Sequence, residues 1–223
     1  MFRNLLSFWK GKDFIAKVFE DFKSMLDDTE FMFQAVCKHL LENTQEPELK
    51  QRIYDIDKQV NVLQRDIRKR IVEHLTLQPT VDTTACLVLM SVVKDAERLG
   101  DYCKNLFEVS ELTSEPINRE LYHDYFDGLN SDIAQLFENT KKAFIDADES
   151  TARQTWEIER RIAKGCDAIV QRAAQSNLSV NEAVCFTLIA RYYKRIVAHL
   201  VNIATAVIVP LSDLDYFDER EER

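Results

Sequence analysis

Asp95-Ala96-Glu97-Arg98-Leu99-Gly100-Asp101-Tyr102-Cys103-Lys104-Asn105-Leu106-Phe107-Glu108 is the stretch from which the fold can be read, because it recurs. Ninety-seven residues later stands Tyr192-Tyr193-Lys194-Arg195-Ile196-Val197-Ala198-His199-Leu200-Val201-Asn202-Ile203-Ala204-Thr205. Arg98 falls on Arg195, Asn105 on Asn202, Leu99 on Ile196 and Leu106 on Ile203. The register extends back without a gap, Cys86-Leu87-Val88-Leu89 lying over Ala183-Val184-Cys185-Phe186. A match at one fixed offset marks two copies of a structural unit.

The apolar residues recur at three- and four-residue steps. From Asp13, the positions Ile15, Phe19, Phe22, Leu26, Phe33, Val36 and Leu40 make one seam, interrupted at Thr29, and predict a helix to about Asn43. Pro47, tolerated in a first helical turn, opens a second helix carrying Ile53, Ile56, Val60, Leu63, Ile67 and Ile71 to about Leu75. After Pro79, with Thr80 or Asp82 as cap, a third runs to about Leu112. Ser114-Glu115-Pro116 divides the copies. A fourth helix is expected through Leu121, Tyr125, Leu129, Ile133, Leu136 and Phe144, and a fifth from near Asp148 to about Gln175. A sixth starts at the capping box Ser179-Val180-Asn181-Glu182 and is stopped by Pro210.

The expected fold is all-α, two tandem pseudo-symmetric three-helix bundles with six helices in all. The repeats occupy 13–113 and 114–211, between an amphipathic leader at 1–12 and a charged tail at 212–223 that frays. The leader, with Phe2, Leu5, Leu6, Phe8 and Trp9 between Arg3 and Lys10, reads as a cap on the bundle or as a segment suited to a membrane surface.

Composition narrows the function classes. Four Gly and four Pro among 223 residues leave few tight turns. A net charge of −9 opposes binding to nucleic acid or anionic lipid, which both favour a basic face. Five cysteines (Cys37, Cys86, Cys103, Cys166, Cys185), odd in number and scattered, suit reduced, buried thiols rather than a disulfide framework or a zinc site. With no secretory core at the start and no run near the roughly 18 apolar residues that span a bilayer, a cytoplasmic location is expected.

Residues four apart share a helix face, so Glu97, Asp101, Asn105 and Glu108 form an oxygen-rich stripe, with Asp95 and Glu111 close by. Carboxylates so placed repel one another unless water solvates them or a cation sits among them. Oxygen donors suit magnesium, manganese or iron. A solvated helix face is the plain alternative. Gly100, mid-helix, hints at close approach by a neighbouring helix. Glu120-Leu121-Tyr122-His123 has the E-x-x-H form of di-iron bundles, but no second such pair occurs, and with Asp127 it reads as surface. No G-x-S-x-G, Gly-rich phosphate loop or Cys/His signature supports an enzyme.

The run Lys94 to Leu106, its repeat, the helix count and the spacing Asp57, Val60, Leu63 on the second helix resemble the PhoU family of phosphate-uptake regulators over nearly the whole chain. The resemblance implies a non-enzymatic cytoplasmic regulator that binds a phosphate transporter ATPase or a membrane sensor kinase and nears the membrane through that partner. A homodimer is expected, because helical bundles readily expose an apolar seam. The resemblance also implies a metal ion of divalent or iron type at Glu97 and Asp101, with Glu108 as a further ligand. In the second copy Lys194 and Ala198 stand where the family has acids. Metal is therefore expected in the first repeat only, and Lys194 could supply its own charge to a nearby acid. The alternative is a metal-storage or metal-sensing bundle unrelated to phosphate.

Overall fold

The computed structural model describes residues 13–42, 48–113 and 116–216. The leader at 1–12, Pro47 and the boundary residues Ser114 and Glu115 lie outside them. The described residues form seven helices: α1 (Asp13–Glu42), α2 (Leu49–Leu77), α3 (Thr83–Leu112), α4 (Arg119–Phe126), α5 (Leu129–Asp146), α6 (Glu149–Ala174) and α7 (Val180–Thr205), followed by a 3-10 turn at Leu211–Asp213. No strand occurs among them, as the helical spacing of the apolar residues requires.

One helix more is present than the sequence reading expects. The expected fourth helix divides into α4 and α5 at Asp127-Gly128, where Gly128 takes φ 72°, a left-handed conformation open chiefly to glycine. Asp127 also leaves helical space, and Asp132 N–H then bonds Gly128 O at 3.0 Å to start α5. Two further boundaries differ. Asp82 sits at the start of α3 with φ 57° and makes no side-chain cap, and α7 ends at Thr205, where Ile208 and Val209 turn back onto the Thr205 carbonyl, rather than at Pro210. The capping box of α7 is as read: Ser179 Oγ accepts from Glu182 N–H at 3.2 Å and Glu182 Oε2 from Ser179 N–H at 3.0 Å, worth about 1 kcal/mol.

α1, α2 and α3 pack as one bundle and α5, α6 and α7 as another, joined where α3 meets α7 and α1 meets α5. The α1–α5 joint is aromatic. Phe22 and Phe144 have ring centroids 4.9 Å apart and Phe33 and Phe137 5.5 Å, so the joint buries large apolar area with favourable ring geometry. Little α4 covers Phe186 of α7 with Tyr122, Tyr125 and Phe126. Beneath it, Tyr193 OH lies 2.7 Å from Tyr122 OH, 2.6 Å from Asn130 Oδ1 and 3.4 Å from Cys37 Sγ. Four elements thus share one buried polar network, and its hydroxyls are satisfied inside the core. Leu214 packs against that core, so the segment just after the 3-10 turn docks instead of fraying; residues 217–223 lie outside the description.

Candidate functional site

The third helices α3 and α7 carry the repeated motif, and each presents two faces. One faces the other repeat. There Asp95, 1% exposed, sits 2.7 Å from His199 Nδ1 and accepts from Asn202 Nδ2 at 3.3 Å. Tyr102 stacks on His199 at 5.6 Å and lies 6.2 Å from Tyr192. Asp95 therefore belongs to the seam between bundles, away from the acidic stripe with which the sequence groups it. Asp215 reaches the same seam, its carboxyl held above the usual range by burial and by the negative charge of Asp95.

The other face of α3 lies against α2, and here Glu97 and Asp101 of the stripe gather with Asp57, Lys104, Arg98 and Arg68, which the stripe reading omits. Asp57, a buried carboxylate on α2, is 2.8 Å from Lys104 Nζ, which also reaches Asp101 Oδ1 at 3.4 Å. Arg98 Nη1 holds Asp101 Oδ2 at 2.8 Å, and its Nε is 3.6 Å from Glu97. Acid and base alternate across the face. Burial, followed by repulsion from Asp101, holds the Glu97 carboxyl above its usual range, while Arg98, and Arg68 from α2, pull the other way. Burial works against the Lys104 ammonium, yet its bond to Asp57 and the charges of Asp57 and Asp101 raise it above an ordinary lysine.

Glu108 is not part of this group. Eleven residues of helix put it roughly 16 Å along the axis from Glu97, and it accepts a 2.6 Å hydrogen bond from Tyr54 OH, which pushes the phenol up to about 12. Glu111 pairs with Lys50 at 2.7 Å. Glu120 and His123 are exposed on α4.

Asn105 is half-buried on α3. On α7 the counterpart of Glu97 is Lys194, whose Nζ lies 2.5 Å from Asp167 of α6. The second repeat thus ties its second and third helices as the first does, lysine on the third helix and acid on the second, but from the position that Glu97 occupies in the first. Ala198, opposite Asp101 in the register, contributes no charge.

As placed, these residues do not fit a metal ion. Among the described residues no three His, Cys, Asp or Glu side chains gather where an ion could be held. In the first repeat, moreover, Lys104 and Arg98 already occupy the positions from which a cation would meet Asp57 and Asp101.

The PhoU domain model matches residues 22–109 and 129–207, one span in each bundle. The chain belongs to the PhoU family. Among relatives of this PhoU-family chain, the Thermotoga maritima phosphate-specific transport system accessory protein PhoU homolog 1 is 25% identical over 170 residues, 72% of each chain. The Synechocystis phosphate-specific transport system accessory protein PhoU homolog is 25% identical over 199 residues, 86% of this chain and 87% of that one. Two solved structures share the fold. PhoU from Pseudomonas aeruginosa superposes with a TM-score of 0.76 at 19% identity, covering 87% of this chain and 95% of that one. The Streptococcus pneumoniae phosphate transport system regulatory protein PhoU gives 0.72 at 18%, covering 92% and 97%.

Proposed function

We propose that the chain regulates phosphate uptake and the phosphate-starvation response from the cytoplasm, by binding a phosphate transporter ATPase or a sensor kinase. The observation that carries this reading is the match, over most of both chains, to proteins named as accessories of a phosphate-specific transport system. It acts by binding and not by chemistry. All five cysteines are buried, and burial pushes the Cys37 and Cys166 thiols up to about 12 and Cys86 to about 11, far from the thiolate a nucleophile needs. No helix among the described residues is long and apolar enough to cross a membrane; on this reading the chain nears the membrane through its partner. The acidic balance, 38 Asp and Glu against 29 Lys and Arg, favours basic surfaces on that partner. Homodimer formation is part of the proposal, since Leu112, Val180 and Val184 leave apolar surface exposed near the start of α7.

The test is affinity capture of the tagged full chain from its own cells, with cross-linked partners identified by mass spectrometry. A phosphate transporter subunit or a histidine kinase enriched over an unrelated acidic helical bundle supports the reading; neither one enriched contradicts it.

A further inference from the structure

α3 and α7 run antiparallel along the seam between the bundles, since Asp95 meets His199 and Tyr102 meets Tyr192. Arg98 and Arg195 stand midway between these two contacts, one on each helix, and Lys94 and Arg191 lie one turn from them at the same repeat offset. Four-residue spacing puts each pair on one helix face, and all four residues are exposed. A twofold rotation that exchanges two antiparallel helices carries each side of their seam onto itself, so both pairs lie on the same side. In the first repeat Arg98 is taken up by Glu97 and Asp101. In the second repeat Lys194 and Ala198 replace those acids, Lys194 is held by Asp167, and Arg191 and Arg195 have no ion-pair partner among the described residues.

The chain itself supplies acids beside these arginines. Leu214 packs against the core, and Asp215 lies near enough to Lys94, Asp95 and His199 for their charges to act on its carboxyl. The segment after α7 thus returns along the seam toward its middle. From His199, Arg195 is about 6 Å along the helix axis and Arg191 about 12 Å. Residues 217–223, outside the described residues, read Phe217-Asp218-Glu219-Arg220-Glu221-Glu222-Arg223, four acids and two bases. Extended chain covers about 3.4 Å per residue, so Asp218 and Glu219 have the length to meet Arg195, and Glu221 and Glu222 to meet Arg191.

We propose that residues 217–223 dock along the α3–α7 seam with their carboxylates on Arg191, Arg195 and Lys94, and so cover the side of the repeated motif that the second repeat leaves positively charged. Each exposed ion pair alone is weak and screened by salt. The anchor at Leu214 makes the contact intramolecular, which raises the effective concentration of the segment to about millimolar. An acidic segment of another protein reaches these arginines only by displacing this one. The inference goes beyond the phosphate reading and does not depend on it.

Paramagnetic broadening of amide signals in the nitrogen-15-labelled full chain tests the proposal. The five native cysteines are buried, so Glu222→Cys supplies the one thiol that takes a nitroxide. In about 20 mM salt the signals of Arg191 and Arg195 should relax at least about threefold faster than in about 0.5 M salt. Arg191→Gln/Arg195→Gln should remove the difference. So should Asp218→Asn/Glu219→Gln/Glu221→Gln, which leaves residues 13–216 untouched and serves if the arginine variant does not fold. No broadening at Arg191 and Arg195 in low salt would overturn the proposal, as would broadening that survives neutralisation of either side. Equal broadening in a mixture of isotope-labelled chain without nitroxide and unlabelled chain with it would also overturn it, because the docked segment would then belong to a second copy.

Discussion

Asp95 on α3 meets His199 on α7 at 2.7 Å, and this contact is one half of a symmetric pair. Tyr192 stands at Asp95 displaced by the repeat offset, and Tyr102 at His199 displaced back by it; these two rings also meet, with centroids 6.2 Å apart. The repeats thus face each other across a pseudo-twofold axis between α3 and α7, with an acid and an imidazole on one side of it and two tyrosines on the other. The polar half is the more buried. Asp95 is 1% exposed and its Oδ2 has no hydrogen-bond partner among the described residues.

Removing His199 leaves Asp95 with Asn202 as its remaining side-chain bond. His199→Ala should therefore cost about 2–3 kcal/mol in urea unfolding, whereas Tyr192→Ala, at the half-exposed symmetric position, should cost less than about 1.5 kcal/mol. Equal losses would show that the Asp95–His199 bond holds the seam no better than the stacked rings.

Tyr193→Phe deletes the hydroxyl shared by Tyr122, Asn130 and Cys37. A cost of about 1–3 kcal/mol is expected, the penalty of leaving buried partners unpaired. The same loss should appear in the thermal midpoint at unchanged helicity.

Gly100 faces Asp57, Thr29 and Val60, and a methyl built there would lie 3.7 Å from each, in ordinary contact. The close approach that a mid-helix glycine suggests is real, but it leaves room. Gly100→Ala should stabilise by roughly 0.5–1 kcal/mol through lower unfolded-state entropy, read as a rise of about 1–4 °C in thermal midpoint.

Glu97 titrates above its ordinary 4.5 because burial and Asp101 disfavour its charge. In the window from 4.5 up to that raised value the folded chain holds a proton that the unfolded chain has lost. Stability from this group therefore falls as pH rises through the window. Glu97→Gln should be more stable than the parent at pH about 7 and converge with it below pH about 4. A variant less stable at neutral pH would mean that Arg98 and Arg68 outweigh the repulsion.

The repeat, the helical class and the α7 capping box were legible because each is a local pattern. The α4–α5 break was not, although Asp127-Gly128 is a turn signal: Tyr125 and Leu129 lie four apart, and the apolar spacing runs straight across it. Within the site, Glu97 and Asp101 are neighbours on one helix and could be paired from spacing alone. The bond from Lys104 to Asp57 joins residues 47 apart and that from His199 to Asp95 residues 104 apart; both depend on which helices pack together. The register was the one signal that pointed toward the second, because it sets Tyr102 opposite His199 and Asp95 opposite Tyr192. Glu108 could have been set aside at once, since the rise of a helix carries it too far from Glu97 to share an ion.

The central measurement is phosphate uptake, together with a phosphate-starvation reporter, in phosphate-replete host cells that lack this chain. Regulation of phosphate uptake predicts an active reporter and altered uptake in the deletion strain, both returned to normal by the full-length chain. Uptake and reporter unchanged by the deletion would contradict it.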